Sequence, residues 1–118
     1  MTLLQAIARM EGWLEPDSLC RINHNPGNIE YGRFAVAHGA TRANGRFAYF
    51  PDDETGFRAM SALLQAPTYK GLTVAQAIHR WAPPNENDTD RYIQLVCQWS
   101  GHAPTDSLAD ALMNDVFV

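Results

Sequence analysis

The 118-residue chain has no apolar run near the length needed to cross a bilayer, which is about 20 residues. It also has no excess of positive charge, because its formal net charge is −4. That balance argues against nucleic acid as a partner and fits a neutral or polar ligand such as a carbohydrate. The first residues contain neither a basic region nor a small-residue cleavage site, so we expect no signal peptide and no membrane insertion.

Cysteine and histidine are scarce and scattered. Without secretory context, we expect Cys20 and Cys97 to be buried, reduced thiols. The four histidines show no metal-ligand spacing, so we expect neither a metal nor another cofactor. The chain also lacks repeats, linkers and low-complexity tracts. Its length and its ordinary apolar content of 46% predict one compact domain over residues 1–118, and we expect a monomer.

The spacing of apolar residues predicts a mainly α fold (α+β) with a small β insertion. We expect a first helix from Thr2 to Met10, capped by Thr2 and ended by Gly12. From Tyr31 to Phe50, small, β-branched and aromatic residues surround Asn44-Gly45, a strong hairpin signal. We therefore predict a small antiparallel hairpin or sheet over that segment.

Helical periodicity returns after the hairpin and predicts three or four further helices. Their expected caps are Asp52 or Asp53, Thr73, Asn87 or Asp88, and Thr105 or Asp106. Their expected apolar faces are Phe57, Met60, Leu63 and Leu64; Val74, Ile78 and Trp81; Tyr92, Leu95, Val96 and Trp99; and Leu108, Leu112 and Val116. Pro83-Pro84 should stop the second of these helices and Gly101 the third.

Glu11 follows the predicted first helix on its apolar side, four positions after Ile7 and seven after Leu4. The C-terminal end of a helix disfavours negative charge, and so does desolvation, so we expect a raised pKa for Glu11. A carboxylic acid still protonated near neutral pH can protonate the leaving-group oxygen of a glycoside. The alternative is that Glu11 turns outward at the helix end and pairs with a surface arginine.

The stretch "NHNPGNIEYGR" is a dense polar turn. Pro26 fixes its own φ, and Gly27 permits a positive φ after it. The amides of Asn23, Asn25 and Asn28 can bond either their own backbone or a ligand. Two interpretations stay open: a turn that bonds only itself, and the floor of a polar cleft facing Glu11.

Four segments, in order, resemble the lysozyme-like superfamily, particularly the phage-type muramidases and lytic transglycosylases that cleave peptidoglycan. "ARMEGW" resembles the helix end that carries the catalytic Glu, and "NPGNIE" lies where transglycosylases have a Gly-x-Met-Gln-like turn. "GRFAYFPDDETGFRAMSALL" resembles an "F-P-x-x-x-x-G-x-x-A" segment of phage-related members. "RWAPPNENDTDRYIQLV" resembles a late "W-A-P-P-x-x-N-x-T-x-x-Y" element. The resemblance covers roughly residues 3–101.

The resemblance implies a role for each matching residue. It implies that Glu11 is the general acid, with Glu30 as a possible second catalytic carboxylate. Substrate-binding positions implied by it are Asn25, Gly27, Asn28, Ile29, Trp81, Asn87 and Tyr92. Tyr92 could equally be a helix residue that simply packs, and a tryptophan such as Trp81 more often belongs to the core. The implied partner is the peptidoglycan glycan strand, at the bond between N-acetylmuramic acid and N-acetylglucosamine.

Two departures from the family pattern leave the mechanism open. Gly12 follows the acid where transglycosylases usually have Ser, and Glu30 replaces the turn Gln. A hydrolytic muramidase could use Glu30 to place water or stabilise an oxocarbenium ion, whereas a transglycosylase needs no second acid. Asp52 and Asp53 are further candidates that helix capping explains better.

A non-catalytic wall-binding or virion structural module is the alternative function. Without a signal peptide, we expect a protein that stays cytoplasmic until release, or that is carried in a virion or delivered to the periplasm.

Overall fold

The computed structural model describes residues 1–115, and the chain divides into two compact units. Ile7–Leu63 forms one of them, which we call the turn unit. Met1–Ala6 together with the chain from Leu64 onward forms the other, which we call the helical unit. The predicted fold class, mainly α with a small antiparallel sheet, is confirmed. The single domain expected over residues 1–118 stays a prediction.

The described residues form seven α-helices, one 3₁₀ turn and one hairpin. In chain order these are α1 (Leu3–Met10), α2 (Leu19–Ile22), α3 (Arg33–Ala37), β1 (Arg42–Asn44), β2 (Phe47–Tyr49), α4 (Asp53–Leu64), the 3₁₀ turn Pro67–Tyr69, α5 (Val74–Trp81), α6 (Thr89–Ser100) and α7 (Leu108–Asp115). In the antiparallel pair, Arg42 lies opposite Tyr49 and Asn44 opposite Phe47.

Helix α1 begins and ends where its sequence predicts. Thr2 Oγ1 accepts a hydrogen bond from the Gln5 N–H at 3.1 Å, and Gln5 Oε1 accepts one from the Thr2 N–H at 2.9 Å. This reciprocal pair provides hydrogen-bond acceptors for backbone N–H groups that have no partner within the first helical turn. Gly12, just past the helix, has a φ of 104°, which glycine adopts without steric cost.

The β prediction between Tyr31 and Phe50 is right only for the second half of that segment. Its first half contains α3, and the strands are three residues each, joined by Gly45 and Arg46. The "RFAVA" sequence of α3 holds two alanines and a single β-branched residue, a composition that suits a helix better than a strand. The hairpin joins the core through Ala48 and Phe50, which are fully buried.

The expected caps of α4, α5 and α6 are confirmed. Asp52 accepts a hydrogen bond from the Thr55 N–H at 2.8 Å. Thr73 forms a complete capping box with Gln76, and Asp88 accepts from the Arg91 N–H. Gly101 ends α6 with a left-handed φ of 77°.

The expected cap of the last helix is wrong. Ser107, rather than Thr105 or Asp106, accepts a hydrogen bond from the N–H of Asp110. Asp106 accepts from the Ala103 N–H at 2.8 Å and so closes the turn that precedes the helix. Val116, expected on the apolar face of this helix, lies outside the described residues.

The helical unit joins the first turn of α1 to the end of α7. The Leu3 N–H donates to Asp115 Oδ2 at 2.6 Å, and the other oxygen of Asp115 lies 3.0 Å from His102 Nε2. The side chains of His102 and Asp115 are only 14% and 13% exposed. This largely buried carboxylate accepts a hydrogen bond from one of the N–H groups that have no partner within the first turn of a helix.

None of the helices within residues 1–115 is both long enough and apolar enough for a membrane span. Cys20 and Cys97 are free thiols; Cys20 is buried as expected, whereas Cys97 is only half-buried, and burial raises the pKa of each.

Candidate active site

The C-terminal end of α1 carries Glu11 and is held by side chains of the turn unit. Ser18 Oγ donates to the carbonyl oxygen of Gly12 at 2.8 Å. The carbonyl oxygen of Glu11 accepts from Cys20 Sγ at 3.4 Å and from Asn28 Nδ2 at 3.5 Å. The last carbonyl groups of a helix have no partner within it, so these three side chains act as a C-terminal cap. They fix the backbone from which the Glu11 side chain projects.

Asn25 joins this turn to the hairpin. It is fully buried, and its Nδ2 donates to the carbonyl oxygens of Ile29 and Ala48, both at 2.9 Å. Its Oδ1 accepts from the Ile29 N–H, also at 2.9 Å. Both amide protons and one oxygen lone pair are therefore used inside the turn unit. In this structure, Asn25 holds the turn's shape and has no donor left for a ligand.

A second buried asparagine ties the turn to the hairpin from its other end. Asn23 Oδ1 accepts from Asn44 Nδ2 at 2.8 Å, and the carbonyl oxygen of Asn23 accepts from the Phe50 N–H at 2.9 Å. Its Nδ2 is buried and has no hydrogen-bond partner among the described residues. The hairpin thus supports the turn through two amides as well as through backbone pairing.

The backbone of the turn differs from the expected one. The positive φ angles fall on His24 (49°) and Asn28 (48°), whereas Gly27, expected to supply one, is not among the positive-φ residues. A Cβ on Gly56 of α4 would lie 1.9 Å from the His24 carbonyl oxygen and 2.9 Å from Pro26 Cδ. Helix α4 can therefore approach the turn this closely only because residue 56 is glycine.

Asn28 and Glu11 are brought together. Asn28 Nδ2 lies 3.5 Å from Glu11 Oε1 as well as 3.5 Å from the Glu11 carbonyl oxygen. Asn28 Oδ1 is buried without a hydrogen-bond partner among the described residues. Both side chains are half-buried. Of the two interpretations left open by the sequence, Asn25 follows the self-bonded turn, whereas Asn28 faces the acid.

The other candidate carboxylates are engaged elsewhere. Glu30 Oε1 lies 2.7 Å from Arg46 Nε, and the Glu30 side chain is 64% exposed. Asp53 Oδ1 lies 2.7 Å from His24 Nδ1. Asp52 caps α4, where hydrogen bonds from the backbone N–H and the hydroxyl of Thr55 lower its pKa. Each carboxylate thus has a partner of its own within the turn unit.

The remaining expected site residues fall into two groups. Gly27 and Ile29 are buried inside the turn unit. Trp81, Asn87 and Tyr92 belong to the helical unit: Trp81 is half-buried at the end of α5, and Tyr92 is 3% exposed on α6. Asn87 is exposed, and its Nδ2 donates to the Pro83 carbonyl oxygen at 3.3 Å. Their substrate-binding roles stay predictions.

Sequence reasoning missed three residues around Glu11. Ser18 and Cys20 cap the end of α1, and Ser18 also caps the start of α2. Trp13 packs edge-on against Phe57 with ring centroids 5.3 Å apart, while the Arg21 guanidinium lies 4.5 Å from the centre of the Trp13 ring. The position of Trp13, two residues after the acid, was the available signal.

Within residues 1–115, no three His, Cys, Asp or Glu side chains cluster in a way that could hold a metal ion. Comparison with family models, with curated proteins and with solved structures finds no match for the chain.

Proposed function

We propose that this protein cleaves the glycan strands of peptidoglycan between N-acetylmuramic acid and N-acetylglucosamine, with Glu11 as the acid and base of a lytic transglycosylase. The observation that supports the proposal best is the contact between Asn28 Nδ2 and the Glu11 carboxyl at the capped end of α1. The buried amide of Asn25 fixes the turn that carries Asn28. A rigid support of this kind is what a general acid requires, because proton transfer depends on its placement.

In the proposed reaction, protonated Glu11 gives its proton to the glycosidic oxygen as the bond from that oxygen to the anomeric carbon breaks. A hydroxyl group of the same sugar then attacks the positively charged anomeric carbon. The Glu11 carboxylate accepts the proton of that hydroxyl, which restores the acid. No water is consumed, and the product carries an internal anhydro bond.

We favour a transglycosylase over a hydrolase because of the partners of the other carboxylates. A hydrolytic mechanism needs a second carboxylate to place water or to stabilise the oxocarbenium ion. The Glu30 carboxylate is paired with Arg46, and Asp52 and Asp53 are bonded to Thr55 and His24. A mechanism with a single acid needs none of them.

The test is the release of soluble fragments from purified peptidoglycan, with Glu11→Gln as the decisive variant. Removing the proton donor while keeping the side-chain shape should lower the rate about 10²–10⁴-fold, the usual contribution of a general acid. Glu30→Gln is the matched control and should keep most of the activity, because Glu30 has no step in this mechanism.

The mass of the products separates the remaining functions. Fragments lighter by one water than the hydrolysis products support the transglycosylase. Reducing ends, together with inactivity of Glu30→Gln, would support a muramidase instead. Binding to insoluble peptidoglycan without any release would favour a non-catalytic wall-binding module. Full activity of Glu11→Gln would remove Glu11 from the catalytic role.

A further inference from the structure

We propose that Asn28 is a positioning residue that acts through Glu11: its amide holds the Glu11 carboxyl in place. The inference rests on the proposed function, and it changes the role expected for Asn28. The resemblance implied that Asn28 binds substrate, whereas the structure places its donor atom against the acid itself.

The backbone around Asn28 is fixed on both sides. The Asn28 N–H donates to the Asn25 carbonyl oxygen at 3.0 Å, and the Asn25 side chain binds both the N–H and the carbonyl oxygen of Ile29. Asn28 itself has a φ of 48°. Glycine and asparagine adopt this conformation more readily than other residues, and of the two only asparagine brings a hydrogen-bond donor.

The amide of Asn28 bridges two oxygen atoms of one residue. Its Nδ2 lies 3.5 Å from Glu11 Oε1 and 3.5 Å from the Glu11 carbonyl oxygen. A donor shared between the main chain and the side chain of Glu11 favours the side-chain rotamer that brings both oxygens to it. The bonds are long, as catalytic hydrogen bonds often are without substrate.

The other end of the amide gives independent support. Asn28 Oδ1 is buried and has no hydrogen-bond partner among the described residues, an arrangement that costs free energy. An amide that leaves its acceptor unpaired is oriented by what its donor binds. That donor binds Glu11, so the contact with Glu11 sets the orientation of this side chain.

The expected consequence is an effect on the rate of the reaction rather than on binding. After Glu11 gives up its proton, the Asn28 amide can donate to the carboxylate that forms, and it keeps that carboxylate aimed for the return of the proton. Substrate contacts elsewhere would be unaffected. Loss of the amide should therefore lower kcat and leave KM nearly unchanged.

A purely structural role is the competing explanation, because Asn28 also caps α1 through the Glu11 carbonyl oxygen. A double-mutant cycle with Glu11→Ala separates the two roles, since that change removes the carboxyl but keeps the carbonyl. If Asn28 is only a cap, Asn28→Gly destabilises the protein equally with and without the Glu11 side chain. If it also holds the carboxyl, the loss is smaller in the Glu11→Ala background.

The experiment combines urea unfolding of the four proteins of that cycle with kcat and KM on purified peptidoglycan. Asn28→Gly suits the φ of 48° and should fold. We expect a roughly tenfold fall in kcat with KM within about twofold, as for loss of a hydrogen bond made mainly in the transition state. His24→Gly is the matched control, since residue 24 has a φ of 49° and its side chain binds Asp53; its kcat should not change.

Three outcomes would overturn the inference. Additive unfolding energies in the cycle would mean that the amide does not bind the carboxyl. A rise in KM with unchanged kcat would return Asn28 to substrate binding. Unchanged kcat and KM would leave it a helix cap. If the wild-type protein releases no fragments, the proposed function fails, and the unfolding cycle still decides by itself whether the amide holds the carboxyl.

Discussion

Two polar, proline-containing segments of this molecule have similar compositions and opposite environments. Residues 23–28 of the turn unit contain three asparagines and one proline, and Asn23 and Asn25 are fully buried. Residues 83–88 of the helical unit contain two asparagines and two prolines, and Asn85 and Asn87 are exposed. Composition alone would make both segments surface loops.

The difference lies in what the amides can bind. Asn25 reaches the carbonyl oxygen of Ala48, 23 residues along the chain, whereas the Asn87 amide binds the carbonyl oxygen of Pro83 in its own loop. Burial of the Asn25 amide is tolerated because both its nitrogen and its oxygen have hydrogen-bond partners. A polar segment can therefore serve as core when a distant strand offers backbone groups to it.

The largest expected effect comes from Asn25→Ala. It leaves the N–H and carbonyl oxygen of Ile29 and the carbonyl oxygen of Ala48 without the amide, so we expect the free energy of unfolding to fall by about 3–5 kcal/mol. Asn87→Ala, the matched change in the exposed loop, should cost less than about 0.5 kcal/mol. Urea unfolding measures both. Equal losses would mean that burial of the asparagines does not distinguish the two segments.

Gly56→Ala should have the next largest effect. Alanine would normally stabilise a helix by about 1 kcal/mol over glycine, but here its Cβ would lie 1.9 Å from the His24 carbonyl oxygen. The His24 carbonyl oxygen belongs to the backbone and cannot move aside easily. The clash should therefore outweigh the gain in helix propensity and lower the free energy of unfolding by about 2–3 kcal/mol net. Gly32→Ala is the control, because Gly32 has open space around it. A stabilised Gly56→Ala variant would show that α4 and the turn can separate freely.

A smaller effect is expected in the helical unit from Thr89→Val. Thr89 is buried, and its hydroxyl donates to the Ala82 carbonyl oxygen at 2.6 Å. Valine keeps the shape and removes the donor, which should cost about 1–2 kcal/mol in unfolding free energy. The exposed Thr105→Val gives the baseline. If Thr89→Val costs as much as Asn25→Ala, the helical unit depends on buried polar groups as strongly as the turn unit does.

The smallest expected effect concerns an exposed hydrogen bond of the turn unit. The backbone N–H and then the hydroxyl of Thr55 hold the pKa of Asp52 below its ordinary value of 3.8. Because the folded-state pKa is depressed, the stability that this carboxylate adds is present above the unfolded pKa and is lost as the pH falls through the folded pKa. Thr55→Val should bring the Asp52 pKa part of the way back, as measured by carboxyl NMR titration. No change would mean that the hydroxyl does not contribute.

The elements that the sequence predicts well are those with local stop and start signals. Helices α5 and α6 are capped by Thr73 and Asp88 as expected, because a capping side chain binds the first turn of its own helix. Helices α2 and α3 have only four and five residues, too few for a helical period to appear. Each contains one buried residue, Cys20 or Ala35, whose packing no local pattern reveals.

The candidate site, too, is predictable from the sequence where the signal is local and not where it depends on tertiary contacts. Periodicity along α1 draws attention to Glu11, and the density of amides draws attention to Asn28. That Asn25 is buried depends on Ala48, and the pairing of Glu30 depends on Arg46; both partners come from the hairpin. Contacts across so many residues are set by tertiary structure, so the sequence could name these residues but could not assign their roles.

The hydrogen bond from the Leu3 N–H to Asp115 bears on the order of events during synthesis. All residues of the turn unit are contiguous, so it can fold as soon as Leu63 has left the ribosome. The helical unit joins Met1–Ala6 to a helix made at least a hundred positions later, and it can close only after Asp115 has emerged. Until then, the Leu3 N–H in the first turn of α1 lacks the Asp115 carboxylate that accepts its hydrogen bond in the folded protein.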